Sequence, residues 1–341
     1  MKRLFLSAAT ALSLLTISSI QAFEMHTELD FSLGYRRDNV HARRDTPLAD
    51  LITFGTFVPN PNLLEVIDAI TLQEPIGFKS LDILYADFGF RTLKYCDLYI
   101  RGDLMFGWIL NSNIHDKIKF NVDIGQIPQV PGILAGEGLG LSISTKNPVK
   151  NSYIVDFNIG IGYPFFFMCG NLFFSPMIGY AYDSYNLKVR DYNKTTDALA
   201  VLSILETMGV IPSAGLSLVN INYVPDSKKN SRFKFAWYGP WIGFDTALNY
   251  STCLALKASF EYHIGYVRYK RHTHSGFVDL DHVNTEKSAQ GFVVKGGFDY
   301  NIYCGWDVGA EVFYRNYRTF SNSHPISATT FGVGASLGYT Y

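Results

Sequence analysis

From Met25 to Tyr35 apolar or near-apolar residues (Met25, Thr27, Leu29, Phe31, Leu33, Tyr35) take every second position, and Glu24, His26, Glu28, Asp30, Ser32, Gly34 and Arg36 take the others. Such alternation puts one oily and one polar face on a single β-strand. The pattern returns near the length of about 9–11 residues that a tilted strand needs to cross a bilayer. Leu98, Ile100, Leu104, Phe106 and Trp108 alternate with Tyr99, Arg101, Asp103 and Met105. Tyr153 to Ile161, Leu254 to Tyr262 and Trp306 to Tyr314 repeat it. In the last strand Phe331, Val333, Ala335, Leu337, Tyr339 and Tyr341 alternate with glycine and small polar residues, and the sequence ends on an aromatic. One such strand fits a soluble sandwich or a membrane barrel equally well. Recurrence at this length, with that terminal strand, predicts an all-β, antiparallel up-and-down transmembrane barrel.

No run of about 18 apolar residues occurs after the first segment, so spanning by helices is excluded. Aromatics at 15%, 29 glycines, 17% charged residues and a net charge of −1 suit a β-rich chain and give no nucleic-acid footprint. Residues 1–22 read as a signal peptide: Lys2 and Arg3, an apolar run from Leu4, then Ser18, Ser19 and Ala22, with cleavage expected after Ala22. The barrel is then expected over 23–341, in the outer membrane of a Gram-negative-type envelope.

The four cysteines order the hairpins, because Cys96, Cys169, Cys253 and Cys304 each stand at the turn of a strand–turn–strand unit. Between these units lie polar stretches, 37–78, 111–150, 189–230, 271–287 and 319–327, which read as long outer loops opposite short periplasmic turns. One strand before the first stretch, two per cysteine unit and one at the end make ten, an even count that puts both termini on the periplasmic side. Two stretches carry helical spacing, Asn62 to Leu72 and Asp197 to Gly209, each too short to span a membrane.

Asp156-Phe157-Asn158-Ile159-Gly160, Met177-Ile178-Gly179-Tyr180 with Tyr185, and Gly239-Pro240-Trp241-Ile242-Gly243 with Asn249-Tyr250 resemble strand segments of the omptin family of outer-membrane barrels. A cysteine at each short turn is not an omptin habit and looks more like the omptin-related outer-membrane proteins of Protochlamydia. The omptin resemblance implies an endoprotease whose Asp/His pair faces acidic residues across the barrel mouth. Here the fourth long stretch offers His272-Thr273-His274 and the second only His115-Asp116, so the catalytic set is incomplete. Hence the first expectation is a non-enzymatic structural or interaction protein of the envelope. The alternatives are a surface endoprotease drawing on His115, Asp116, His272 and His274, and a narrow porin.

Other constellations are weaker. His272, His274 and His282, with Asp279 and Asp281, are donors suited to a transition metal, against a plain solvated loop. No P-loop or dinucleotide fingerprint occurs, and no cofactor is expected. Glu28, Asp30, Arg101, Asp103, Asp156, Asp245, Lys257, Glu261, Lys295, Asp299, Asp307, Glu311 and Arg315 are expected to face inward and to pair in a narrow lumen. Basic residues at the outer strand ends (Arg36, Arg37, Arg43, Arg44, Lys228, Lys229, Arg268, Lys270, Arg271) are candidates for contact with lipopolysaccharide. Turns two strands apart stand roughly 10 Å from each other, beyond the Cα separation of about 7 Å that a disulfide tolerates. The cysteines are therefore read as free thiols or as links to other envelope proteins, and bonds between neighbouring turns would require those turns to bend together.

Overall fold

The computed structural model describes residues 26–47, 53–54, 70–94, 98–122, 139–168, 171–190, 219–220, 229–275, 278–320 and 325–340. Ten strands alternate up and down around a ring: β1 (His26–Pro47), β3 (Ile70–Lys94), β4 (Leu98–Val122), β6 (Tyr153–Gly162), β8 (Leu172–Arg190), β10 (Lys229–Asn249), β11 (Leu254–Ser275), β12 (Val278–Tyr303), β13 (Trp306–Thr319) and β14 (Ile326–Thr340). Each pairs antiparallel with the next, and β14 closes onto β1 with Glu28 opposite Thr340. Four short pieces complete the set: β5 (Leu139–Pro148) pairs with β4, β7 (Phe165–Phe167) with β8, and β2 (Thr53–Phe54) with β9 (Val219–Asn220). No helix occurs among the described residues beyond a single 3-10 residue at Met168.

The register fixes the bore. Followed through paired residues in one direction, Trp108 leads by way of Leu84, Tyr35, Val333, Val312 and Gly296 to Ala258. In the other direction it leads by way of Tyr153, Asn186 and Lys234 to Lys270, an offset of twelve residues on β11. Ten strands with that stagger tilt at about 40° and give a backbone radius of about 10 Å. Long side chains from opposite walls therefore meet at the axis.

Both walls change character along the axis. In the half nearer the short turns the outside is apolar (Leu29, Phe31, Leu33, Ile242, Val312, Leu337) and the inside is polar. Tyrosines 35, 153, 182, 266 and 314 mark one edge of the apolar band, and Tyr300, Tyr303, Trp306 and Tyr339 the other, as aromatic girdles do at bilayer interfaces. Beyond the first girdle the phase reverses: Arg37, Lys188, Arg268 and Arg318 face outward while Val40, Leu187, Val267 and Tyr317 are buried inside.

That reversal corrects the bounds of the stretches read as loops. β1 runs on to Pro47, β3 begins at Ile70, β4 reaches Val122, and β11 and β12 extend to Ser275 and from Val278, so much of the polar stretches is strand. Backbone pairing continues past the membrane edge, where water faces the outer wall and apolar side chains fill the inner one. A pattern of polar-out, apolar-in strands reads as loop when apolar-out is assumed. The helix expected over Asn62 to Leu72 is overturned at its end, because Ile70 and Leu72 belong to β3. Residues 62–69 and 197–209, like the signal segment 1–22, lie outside the described residues.

Candidate functional site: the bridged interior and the far strand ends

The inner wall is spanned by side chains at three levels. Nearest the short turns, Arg91 meets Glu28 at 3.1 Å and Asp30 at 3.2 Å, while Lys257 reaches Glu28 at 2.5 Å and also pairs with Asp299. One level further, Arg101 on β4 crosses the lumen to Asp245 on β10 at 2.7 Å and to Glu261 on β11. Glu261 also accepts from Asn158 at 2.9 Å and bonds His263 at 2.8 Å, and the Trp241 indole N–H donates to Asn158 at 2.7 Å. Lys295 meets Asp103 at 3.3 Å. The third level is centred on Arg36, which no solvent reaches: it holds Asp38 at 2.7 Å and Asp156 at 2.5 Å and donates to the Tyr185 hydroxyl at 3.1 Å. Arg315 adds bonds to Asp156 at 3.1 Å and Asp183 at 2.8 Å.

Above these levels the lumen is filled by rings. Phe78 on β3 meets Phe233 and Phe235 on β10, four strands away, with centroids 5.2 and 5.8 Å apart. Phe235 stacks on Tyr269 at 4.9 Å and on Trp237, which stacks on Tyr317 and meets Tyr185 edge-on. A cavity of about 280 Å³ lies at the short-turn end, lined by Glu28, Asp30, Arg91, Asp103, Lys257 and Lys295 among others.

The inward charges expected from alternation are in place, and the ion pairs join most of them. Arg36 belongs to the polar set of the first strand but also reads as an outer basic residue; Asp38, Asp87, Arg91 and Asp183 were missed, Asp87 and Arg91 because β3 carries apolar residues on both walls near them. Arg36 and Arg271 are corrected, since both are buried and inward (0% and 1% exposed) and unavailable to a lipid headgroup. Arg37 and Arg268 do face outward, paired with Asp82 and Glu286.

His115 and Asp116 fall within β4, opposite Gly77 and Ile76 of β3, rather than in a loop. His272 and His274 fall near the end of β11, His272 opposite His282 of β12. β4 and β11 are the third and seventh of the ten barrel strands, so the two pairs stand on separate walls. His272 is half-buried and alternates with inward Arg271, in phase with outward Lys270 and Arg268. Cys304 and Gly305 form a two-residue turn, both with positive φ (49° and 82°), and Cys253 ends the turn before β11. Both thiols are free and exposed. Cys96 and Cys169 lie outside the described residues.

A family model described as Protochlamydia outer membrane protein matches residues 30–335. The chain belongs to the Protochlamydia outer membrane protein family. The match takes in all or most of every barrel strand, in agreement with the closed ten-strand ring, and makes this an outer-membrane β-barrel protein. No curated protein matches it by sequence. Among solved structures it is similar to the outer membrane protease OmpT of Escherichia coli, at 13% identity and a TM-score of 0.53, over 94% of this chain and 99% of that one. That likeness is one of fold. The toluene transporter TodX of Pseudomonas putida (9% identity, 94% and 90% covered, TM-score 0.29) and the attachment invasion locus protein Ail of Yersinia pestis (8%, 91% and 98%, 0.26) also align, at scores that carry no argument.

Proposed function

We propose that this barrel is a non-enzymatic structural or interaction protein of the cell envelope, working through its exposed far end and its cysteine rim. The observation that carries this reading is the contact of Phe78 with Phe235 across the lumen, above three levels of cross-lumen ion pairs. Side chains that bridge the bore at each of these levels obstruct a water path among the described residues, which argues against a porin. It also makes the extended strands a stiff platform beyond the membrane. β1 begins and β14 ends at the short-turn end, and we place that end in the periplasm, with Cys253 and Cys304 presented to other envelope components. Lipopolysaccharide is the expected neighbour of the outer wall.

A second reading, a surface endoprotease, is favoured by one observation: His115-Asp116 and His272-His274 stand near the far ends of strands on separate walls, as the omptin resemblance requires. The test is incubation of the refolded barrel, with lipopolysaccharide, against a diverse peptide library, alongside H272A/H274A. No cleavage by folded protein and no conductance steps in planar bilayers support the interaction reading. Cleavage that the double variant loses overturns it in favour of the protease.

A further inference from the structure

Glu28, Asp30 and Asp307 each offer a carboxylate oxygen, all within 4.8 Å of one another, at the short-turn end of the inner wall. Two come from β1 and one from β13, with β14 between them. Asp30 and Asp307 both pair in register with Gly338, and a Cβ at Gly338 would run into Oδ1 of each. A glycine there is what lets the two carboxylates converge.

Asp307 is the unusual member. It is 7% exposed, its Oδ1 has no hydrogen-bond partner, and among the described residues no Lys or Arg pairs with it. A carboxylate in that position is costly unless something neutralises it. The neighbouring cations are already engaged: Arg91 by Glu28 and Asp30, Lys257 by Glu28 and Asp299. Four carboxylates against two cations leave two negative charges. Glu28 and Asp30 also line the 280 Å³ cavity, which provides room for water ligands.

We propose that Glu28, Asp30 and Asp307 bind one divalent alkaline-earth cation, Ca²⁺ or Mg²⁺. An all-carboxylate donor set with space for water suits a hard cation and offers neither nitrogen nor sulfur to a transition metal. The ion neutralises the two surplus charges and ties β1 to β13 across β14, beside the seam where first and last strands close the ring. Divalent cation thereby becomes a condition of a stable closure.

The experiment uses the barrel refolded in detergent and stripped with EDTA. Ca²⁺ and Mg²⁺ are titrated by calorimetry, and the heat-induced unfolding midpoint is followed with and without each ion. Wild type is expected to bind one ion and to unfold at higher temperature with it. D307N is expected to lose affinity by roughly tenfold or more, since affinity follows the carboxylate count. D183N, a buried aspartate held by Arg315 at the third level of the inner wall, should keep both effects. D30N serves as the second variant should D307N not refold. Absence of saturable binding by wild type, or undiminished binding by D307N and D30N, overturns the proposal. A D307N barrel more stable than wild type, with neither responding to the ions, would mean that the acids share a proton instead.

Discussion

Arg36 and Arg37 adjoin in sequence, and each meets an aspartate at similar distance: Asp38 at 2.7 Å and Asp82 at 2.9 Å. Burial separates them. The side chains of the first pair are 0% and 0% exposed, those of the second 55% and 27%. In R36A, Asp156 keeps Arg315 at 3.1 Å, but Asp38 keeps only the Tyr185 hydroxyl at 2.7 Å. One buried carboxylate is then left without a cation, a loss of about 3–5 kcal/mol. In R37A water replaces the lost partner, and the change is about 0–1 kcal/mol. The assay is equilibrium urea unfolding of the barrel in lipid vesicles, read by tryptophan emission, with the slope checked for constancy. The double variant R36A/D38N should be less damaged than R36A, because the orphaned charge has gone with its partner. Equal losses in R36A and R37A, or a loss below about 1 kcal/mol in R36A, would refute the assignment of Arg36 to a dry cross-lumen lock.

Other outcomes follow from the same walls. L33R puts a charge on the apolar outer band and should cost about 2–4 kcal/mol in vesicles, whereas K234A beyond the girdle should change stability by less than about 0.5 kcal/mol. F235A removes the ring that meets Phe78, Trp237 and Tyr269 and should cost about 3–5 kcal/mol by urea unfolding. It should open no conductance in planar bilayers, because the Arg36 and Arg101 bridges remain; steady channels in F235A would show that the rings alone seal the lumen. At Gly34 a new Cβ would collide with the Val333 carbonyl oxygen and the Tyr85 ring, so G34V should lose about 1–3 kcal/mol by the same assay. Cys253 and Cys304 should react with maleimide in the folded barrel without denaturant, and any cross-linked species on non-reducing gels of native envelopes should weaken in C253S/C304S.

Strands that cross the membrane were legible in the residues, because lipid demands an unbroken apolar face and a two-residue period shows it directly: Leu29 to Tyr35, Leu254 to Tyr262 and Phe331 to Tyr339 all read correctly. The ten-strand count was legible too, through the cysteine-marked turns. The same rule misread Val40, Phe78, Ile114 and Val189 as loop material, since beyond the girdle their apolar faces point inward. Of the candidate site, the identities of His115, Asp116, His272 and His274 were visible, but their distribution over two walls was not, because register around a ring is a property of all ten strands together. The chain by itself determined the alternation, the turns and hence a barrel that is oily outside. Tertiary structure decided what meets inside the lumen, from Arg36 with Asp156 across the bore to Asp30 with Asp307 on either side of β14, because those partners lie far apart in sequence and only the closed, staggered ring brings them within reach.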